Sequence, residues 1–541
     1  MKAFALLLCL ALTRGIAGSI FRHDYYPEMD RMKAQPLDFD QLRGIHHRNH
    51  HKHHHHRSAD SSESQEKYLD DMSQDRATFQ EMTNWNTPLF AATVNQDESR
   101  PTYGDIVSWK GVQFAAGPNS PIKDQREIEK IFNEAYKTMR HFTEEEKKQF
   151  HSSYLAGEKM ENEDMRLNSS QLLKKNNYNV EEHTVKTDDG YYLTLFRIVP
   201  KQSENARMEQ NTNGRQVVFL AHGLMGSSDD WLLMGPQKSL AYMLADQGYD
   251  VWLGNNRGSR YARRHASKHE AQQDFWQYSN DEIALHDTPA MIDYALNTSE
   301  QRKLNYVGVS QGTTAIFALM ASKPEYNGKI ASVHAIAPMV YMTKVRSPLL
   351  RMIASNSPFY ERLVEQLGSG EFKPSKELIH TVGGEMCENE IGCKAICSNV
   401  NFVMAGVGDL ESDMAPVVMG HLPAGASTRQ IRHYGQGVAS HEFRKFDHGP
   451  EINQKVYGQA QPPKYKMSNV QAPVVLYSTK NDWMSHPDDV SRLRKELPNV
   501  RGHHLVTEEQ FSNTDFLFSD KAPQAVYERL IKNIKQNQEM N

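Results

Sequence analysis

The sequence predicts an α/β fold behind a low-complexity, partly helical N-terminal extension, and three observations predict it. From about residue 168, short apolar runs alternate with helical stretches, the pattern of a mostly parallel sheet covered by helices. One run leads through Gly308-Val309-Ser310-Gln311-Gly312 into the helix-like Thr313 to Met320, so strand, sharp turn and helix follow one another. Before about residue 165 the chain is polar, with few alternating strand patterns.

The chain begins with a leader-like segment. Lys2 precedes the apolar run Ala3 to Leu12, too short to span a bilayer, and Gly15-Ile16-Ala17 places small residues at a cleavage site. Residues 1–18 are therefore expected to be a signal peptide. No later stretch approaches ~18 consecutive apolar residues, so no membrane anchor is expected.

Residues 19–165 form the extension. It holds a tract with His46, His47, His50, His51, His53, His54, His55 and His56. A solvated low-complexity segment is its plain reading. Imidazoles also titrate near pH ~6.5, which makes a metal or an anionic surface the partner to expect if the tract binds anything. Ile128, Ile131, Phe132, Ala135, Met139 and Phe142 recur at helical spacing, and Thr143 with Glu146 resembles a capping box.

Residues 166–541 carry the α/β pattern. His183 to Pro200 reads as a hairpin turning at Asp188-Asp189-Gly190. Val217 to Leu220, Val251 to Leu253, Leu304 to Val307, Val333 to Ile336 and Val474 to Tyr477 read as buried strands, and a last helix runs from Pro523 to about Lys535. Charged residues make up 24% of the 541 and hydrophobic ones 38%, enough for a core. The net charge of −5 gives no nucleic-acid footprint.

Cys9 leaves with the leader, and Cys387, Cys393 and Cys397 remain. Secretion permits one disulfide among the three and leaves one thiol over. No His stands at ligand spacing beside them, so no metal site is expected. Asn168-Ser169-Ser170 and Asn297-Thr298-Ser299 are glycosylation acceptors.

Two motifs carry chemistry. In G-x-S-x-G the small flanking residues relieve crowding at a tight turn that exposes the serine hydroxyl, here Ser310. About ninety residues upstream, the run Val217 to Ala221 enters His222-Gly223-Leu224. A loop in that place lends one backbone N–H to an oxyanion hole, and the residue after the serine, Gln311, lends the other.

Further phrases stand in order around these: Asp189-Gly190-Tyr191, Trp252-Leu253-Gly254-Asn255-Asn256-Arg257-Gly258, Asp287 to Tyr294, Pro423-Ala424-Gly425-Ala426-Ser427, and Ala522-Pro523-Gln524-Ala525-Val526-Tyr527. With them the chain resembles the acid lipases, the family of gastric and lysosomal acid lipase, over about residues 168–535. The resemblance implies an α/β-hydrolase fold with a helical cap at about 340–450. It implies Ser310 as nucleophile, Leu224 and Gln311 as oxyanion donors, and Asp482 as the triad acid. It also implies a Cys387–Cys397 disulfide with Cys393 spare, an acyl-lipid or neutral-lipid ester as partner, and no cofactor.

One position departs from the family. Its histidine belongs to a phrase of the form Phe-Asn-His-Leu-Asp-Phe, and here Phe511-Ser512-Asn513-Thr514-Asp515-Phe516 stands there. Asn513 occupies the histidine's place, and Val309 replaces a histidine usual before the nucleophile. A serine hydroxyl needs an adjacent base, and an amide is not one. The expectation is an extracellular lipase-like protein with impaired hydrolysis and retained lipid binding. The rivals are an active esterase using His486, His503 or His504, and an extracellular scaffold acting through the histidine-rich extension.

Overall fold

A computed structural model describes residues 162–199, 215–354, 370–373, 399–406, 408–410 and 413–539. It also describes the strands β1 (Ile106–Trp109) and β2 (Val112–Ala115) and the single helical positions Lys130, Glu134, Glu145 and Lys148. The leader, the histidine tract, most of the expected 128–142 helix and all three cap cysteines lie outside the described residues.

The strands that follow are β3 (Asn179–Lys186), β4 (Tyr191–Val199), β5 (Val217–Ala221), β6 (Asp250–Gly254), β7 (Arg264–His265), β8 (Leu304–Val309), β9 (Ile330–Ile336), β10 (Val474–Thr479) and β11 (Val500–Val506). They form one sheet in the order β11-β10-β9-β8-β5-β6-β4-β3, with β7 paired to β4. From β6 to β11 the pairings are parallel, while β4 meets β3, β6 and β7 antiparallel. This is the α/β-hydrolase architecture the sequence predicts.

Continuous apolar runs make the central strands because helices cover both faces of a parallel sheet. β5, β6, β8 and β10 are buried at every position. Side chains alternate between the faces. Val218 and Leu220 belong to one core cluster and Val217 and Phe219 to the other.

Seven helices matter below. They are α1 (Ser169–Lys175), α2 (Thr288–Thr298), α3 (Gln311–Ser322), α4 (Val400–Ala405), α5 (Ala415–His421), α6 (Pro487–Glu496) and α7 (Glu528–Glu539). The first cluster includes Leu172 of α1, Phe402 of α4, Val418 of α5 and Leu530 of α7, and the second includes Ile292 of α2 and Phe317 of α3.

Several of the sequence phrases meet in space. Arg257 Nε donates to Asp287 Oδ1 at 2.8 Å, Arg257 Nη1 donates to Asp189 Oδ2 at 2.6 Å, and the guanidinium lies 4.0 Å from the Tyr191 ring centre. Three separated motifs thus clamp the hairpin to the start of α2.

Three expectations need correction. The extension contains the antiparallel pair β1–β2, which the polar reading of that region passed over. The sequence sets no bounds for β11, because Val-Arg-Gly-His-His-Leu-Val is a half-exposed edge with little apolar alternation. The last helix begins as a π-helical turn at Pro523–Tyr527 and runs to Glu539, with Leu530 and Ile534 buried against the core.

Candidate active site

β8 delivers Ser310 to a sharp turn. Its φ of 51° and ψ of −112° are rare for a residue with a side chain and mark stored strain. The turn is held by Ser310 N–H donating to the Ile336 carbonyl at 2.9 Å and by Thr313 Oγ1 donating to the Ser310 carbonyl at 2.5 Å. Both flanking glycines are required by space. A Cβ on Gly308 would lie 2.8 Å from the Gly312 backbone, and one on Gly312 would lie 2.5 Å from the Ala221 carbonyl oxygen.

The His222-Gly223-Leu224 loop leaves β5 beside this turn. A Cβ on Gly223 would lie 3.5 Å from Ser310 Cβ. His222 is buried, with Nδ1 donating to the Gly223 carbonyl at 2.8 Å and Nε2 accepting from Asn256 N–H at 3.1 Å. Burial pushes its pKa down to about 4, so it is a neutral strut with both nitrogens engaged. The Leu224 and Gln311 N–H groups have no acceptor among the described residues.

Asp482 follows β10. Its Oδ1 accepts from the N–H groups of Met484 and Ser485, both at 2.8 Å, and its Oδ2 accepts from Asn513 Nδ2 at 2.8 Å. Burial outweighs these three bonds and the charge of Arg346, and pushes the carboxyl pKa up to about 6. The turn carrying Asn513 is fixed by Asp515, whose Oδ2 accepts from Ser512 N–H at 2.5 Å and Oδ1 from Asp409 N–H at 2.7 Å.

The Ser310 hydroxyl donates to Met339 Sδ at 2.7 Å, a weak acceptor and no base. Ser310, Leu224, Asn513 and Asp230 line one cavity of about 470 Å³ including its mouth, with Met404, Leu422, Leu517 and Phe518 as apolar wall. No imidazole lines it among the described residues. Val309 lines it as well.

The three histidines considered as substitutes are engaged elsewhere. His486 caps α6, accepting from Asp488 N–H at 3.2 Å, with Nε2 2.9 Å from Arg346 Nη2. His503 Nε2 lies 2.8 Å from Ser478 Oγ, and His504 lies between Arg529 and Asn533. Asn168 and Asn297, the expected glycosylation acceptors, are both exposed. Asp188 and Asp189 of the β3–β4 turn and His286 just before α2 gather ligand atoms within 4.8 Å, but they line none of this cavity, and Asp189 already pairs with Arg257.

Two residues of the site escaped the sequence reading. Met339 carries no signal in sequence. Asp230 closes a Ser227-to-Asp230 capping box, a pattern legible in principle.

Residues 169–235 match the partial α/β-hydrolase lipase region, and residues 216–379 match the α/β hydrolase fold. Lipase 3 of Drosophila melanogaster is 41% identical over 367 residues, 67% of this chain and 91% of that protein. Gastric triacylglycerol lipase of Rattus norvegicus is 35% identical over 68% of this chain and 92% of its own length, and that of Homo sapiens 34% over 69% and 92%.

Proposed function

The chain belongs to the acid-lipase family, and we propose that it binds acyl lipids or neutral-lipid esters in the Ser310 cavity while its ester hydrolysis is lost or strongly impaired. In this reading Ser310 is the nucleophile position, Leu224 and Gln311 supply oxyanion donors, and Asp482 is the triad acid. One observation carries it. Asn513 Nδ2 makes the hydrogen bond to Asp482 that a triad histidine makes, and the amide has no second nitrogen to take a proton from Ser310.

Two family features support the binding half. The relatives are lipases by name, and the cavity keeps apolar walls beside free backbone donors. The leader-like residues 1–18 support secretion, and among the described residues no helix is long and apolar enough to cross a membrane. We extend the proposal to glycans on Asn168 and Asn297, a Cys387–Cys397 disulfide, and an extension over 19–165 that precedes the lipase-like domain 166–541.

The test is hydrolysis of short- and long-chain acyl esters, alongside lipid extraction from the purified protein. Negligible turnover with bound or exchangeable acyl lipid is the expected result. Robust turnover that disappears in Ser310→Ala overturns it.

A further inference from the structure

Asp229 and Asp230 are adjacent, buried, and surrounded in opposite ways. Asp229 accepts from Ser169 Oγ at 2.5 Å, Tyr261 OH at 2.7 Å and Arg260 Nη1 at 3.0 Å. Asp230 has one hydrogen bond, from Ser227 N–H to Oδ2 at 3.3 Å. Its Oδ1 is buried without a partner in the protein, and Asp230 lines the cavity shared by Ser310 and Leu224.

Burial, and after it the negative charge of Asp229, raises the Asp230 carboxyl well above the usual carboxyl range and favours its neutral form. The carbonyl oxygen of a carboxylic acid is its better acceptor, so the backbone N–H on Oδ2 favours the carboxyl hydrogen on Oδ1. Two residues that line the cavity then carry donors without acceptors among the described residues, Asp230 Oδ1–H and Leu224 N–H.

The number of lone pairs decides which ligand satisfies them. An ester offers one good acceptor, its carbonyl oxygen, whereas a carboxylate offers two oxygens and about four lone-pair sites. Hydrogen bonds to an ionised acceptor are also about twice as strong as neutral ones.

We propose that this cavity selects the carboxylate of a free long-chain fatty acid over the corresponding ester, with Asp230 Oδ1 as the head-group donor that an ester leaves unsatisfied. The proposal rests on reading the cavity as an acyl-lipid site.

Titration of the full-length protein with oleate and with methyl oleate tests it. Oleate is expected to bind at least ~10-fold more tightly than methyl oleate. Asp230→Ala is expected to weaken oleate by ~10- to 100-fold, and methyl oleate by no more than ~3-fold. Asp230→Asn, which keeps a donor at the position, should recover most of the lost preference. Equal affinities in the wild type overturn the proposal and leave the acyl-lipid reading standing, a result that needs no variant to fold. A preference that survives in Asp230→Ala overturns the role of Asp230. If neither ligand binds, the acyl-lipid reading and the proposal fall together.

Discussion

Of the two buried carboxylates Asp482 and Asp229, only the one outside the cavity has a histidine as its partner. Asp482 holds Asn513 at the cavity, whereas Asp229 faces His421 of α5, whose Nδ1 lies 2.9 Å from Asp229 Oδ2. His421 Nε2 donates to the Asp164 carbonyl at 2.7 Å, so that nitrogen has no lone pair left for a substrate proton. An Asp–His pair by itself therefore makes no catalytic base. What a base requires is a second ring nitrogen left free and aimed at the nucleophile, and neither pair provides one.

The electrostatics differ in the same way. Burial raises Asp229, but the hydrogen bond and charge of His421, with Ser169 and Tyr261, outweigh it and hold the carboxyl below its usual range. Asp482 receives only neutral donors and goes up instead, to about 6. The first pair ties α5 and α1 to the domain. The second is an amide–carboxyl pair at the cavity wall with no ring nitrogen in it.

The largest effect should come from making the second pair a full relay. Asn513→His is expected to raise ester hydrolysis by ~10² to 10⁴, the usual reach of a positioned general base. Ser310→Ala in that background should abolish the gain, measured with a chromogenic short-chain ester. No gain, with binding intact, would show that the Ser310–Met339 contact or Val309 blocks the geometry.

Next in size is the cost of cutting the first pair. His421→Ala leaves buried Asp229 short of a partner, and breaking such a pair costs about 3–5 kcal/mol. Denaturant unfolding reads this directly, and a loss under about 1 kcal/mol would mean that Arg260, Tyr261 and Ser169 suffice.

The Asp482 pair predicts a pH dependence. Its folded pKa of about 6 lies above the ~3.9 of an unfolded aspartate, so folding takes up a proton between them. The contribution to stability is fully present below pH ~4 and lost as pH rises through about 6. Asp515, buried and likewise raised to about 6, acts in the same direction. Asp482→Asn should be more stable than wild type at pH ~8 by on the order of 1–3 kcal/mol, with the difference vanishing near pH ~4. Unfolding curves at both pH values check this, and an unchanged difference rejects it.

The smallest effect concerns delivery of Ser169 to Asp229. Asn168 caps α1, accepting from Gln171 N–H at 2.8 Å in a full capping box. Asn168→Ala should cost about 1 kcal/mol. Asn168 is also an expected glycan site, so Ser170→Ala, which removes the acceptor triplet and keeps the cap, separates the two roles by mass and by stability.

The sequence determined much of this by local rules. Buried parallel strands declare themselves as apolar runs, and the glycines flanking Ser310 declare a turn too crowded for any Cβ. Asn513 was legible because the phrases on either side of it keep their order and spacing. The bounds of edge strand β11 were not legible, since a half-exposed strand needs little apolar pattern.

Only the tertiary structure decided which groups meet. Met339 on the Ser310 hydroxyl, His421 on Asp229 across 192 positions, and the orphaned Oδ1 of Asp230 are products of long-range packing. Asp229 and Asp230 are neighbours of one residue type, and their sequence context cannot separate them. Alternate faces of one short turn send one carboxyl into a hydrogen-bonding network and the other to the wall of a cavity. Burial with a single hydrogen bond, beside the charge of Asp229, then shifts the second the opposite way.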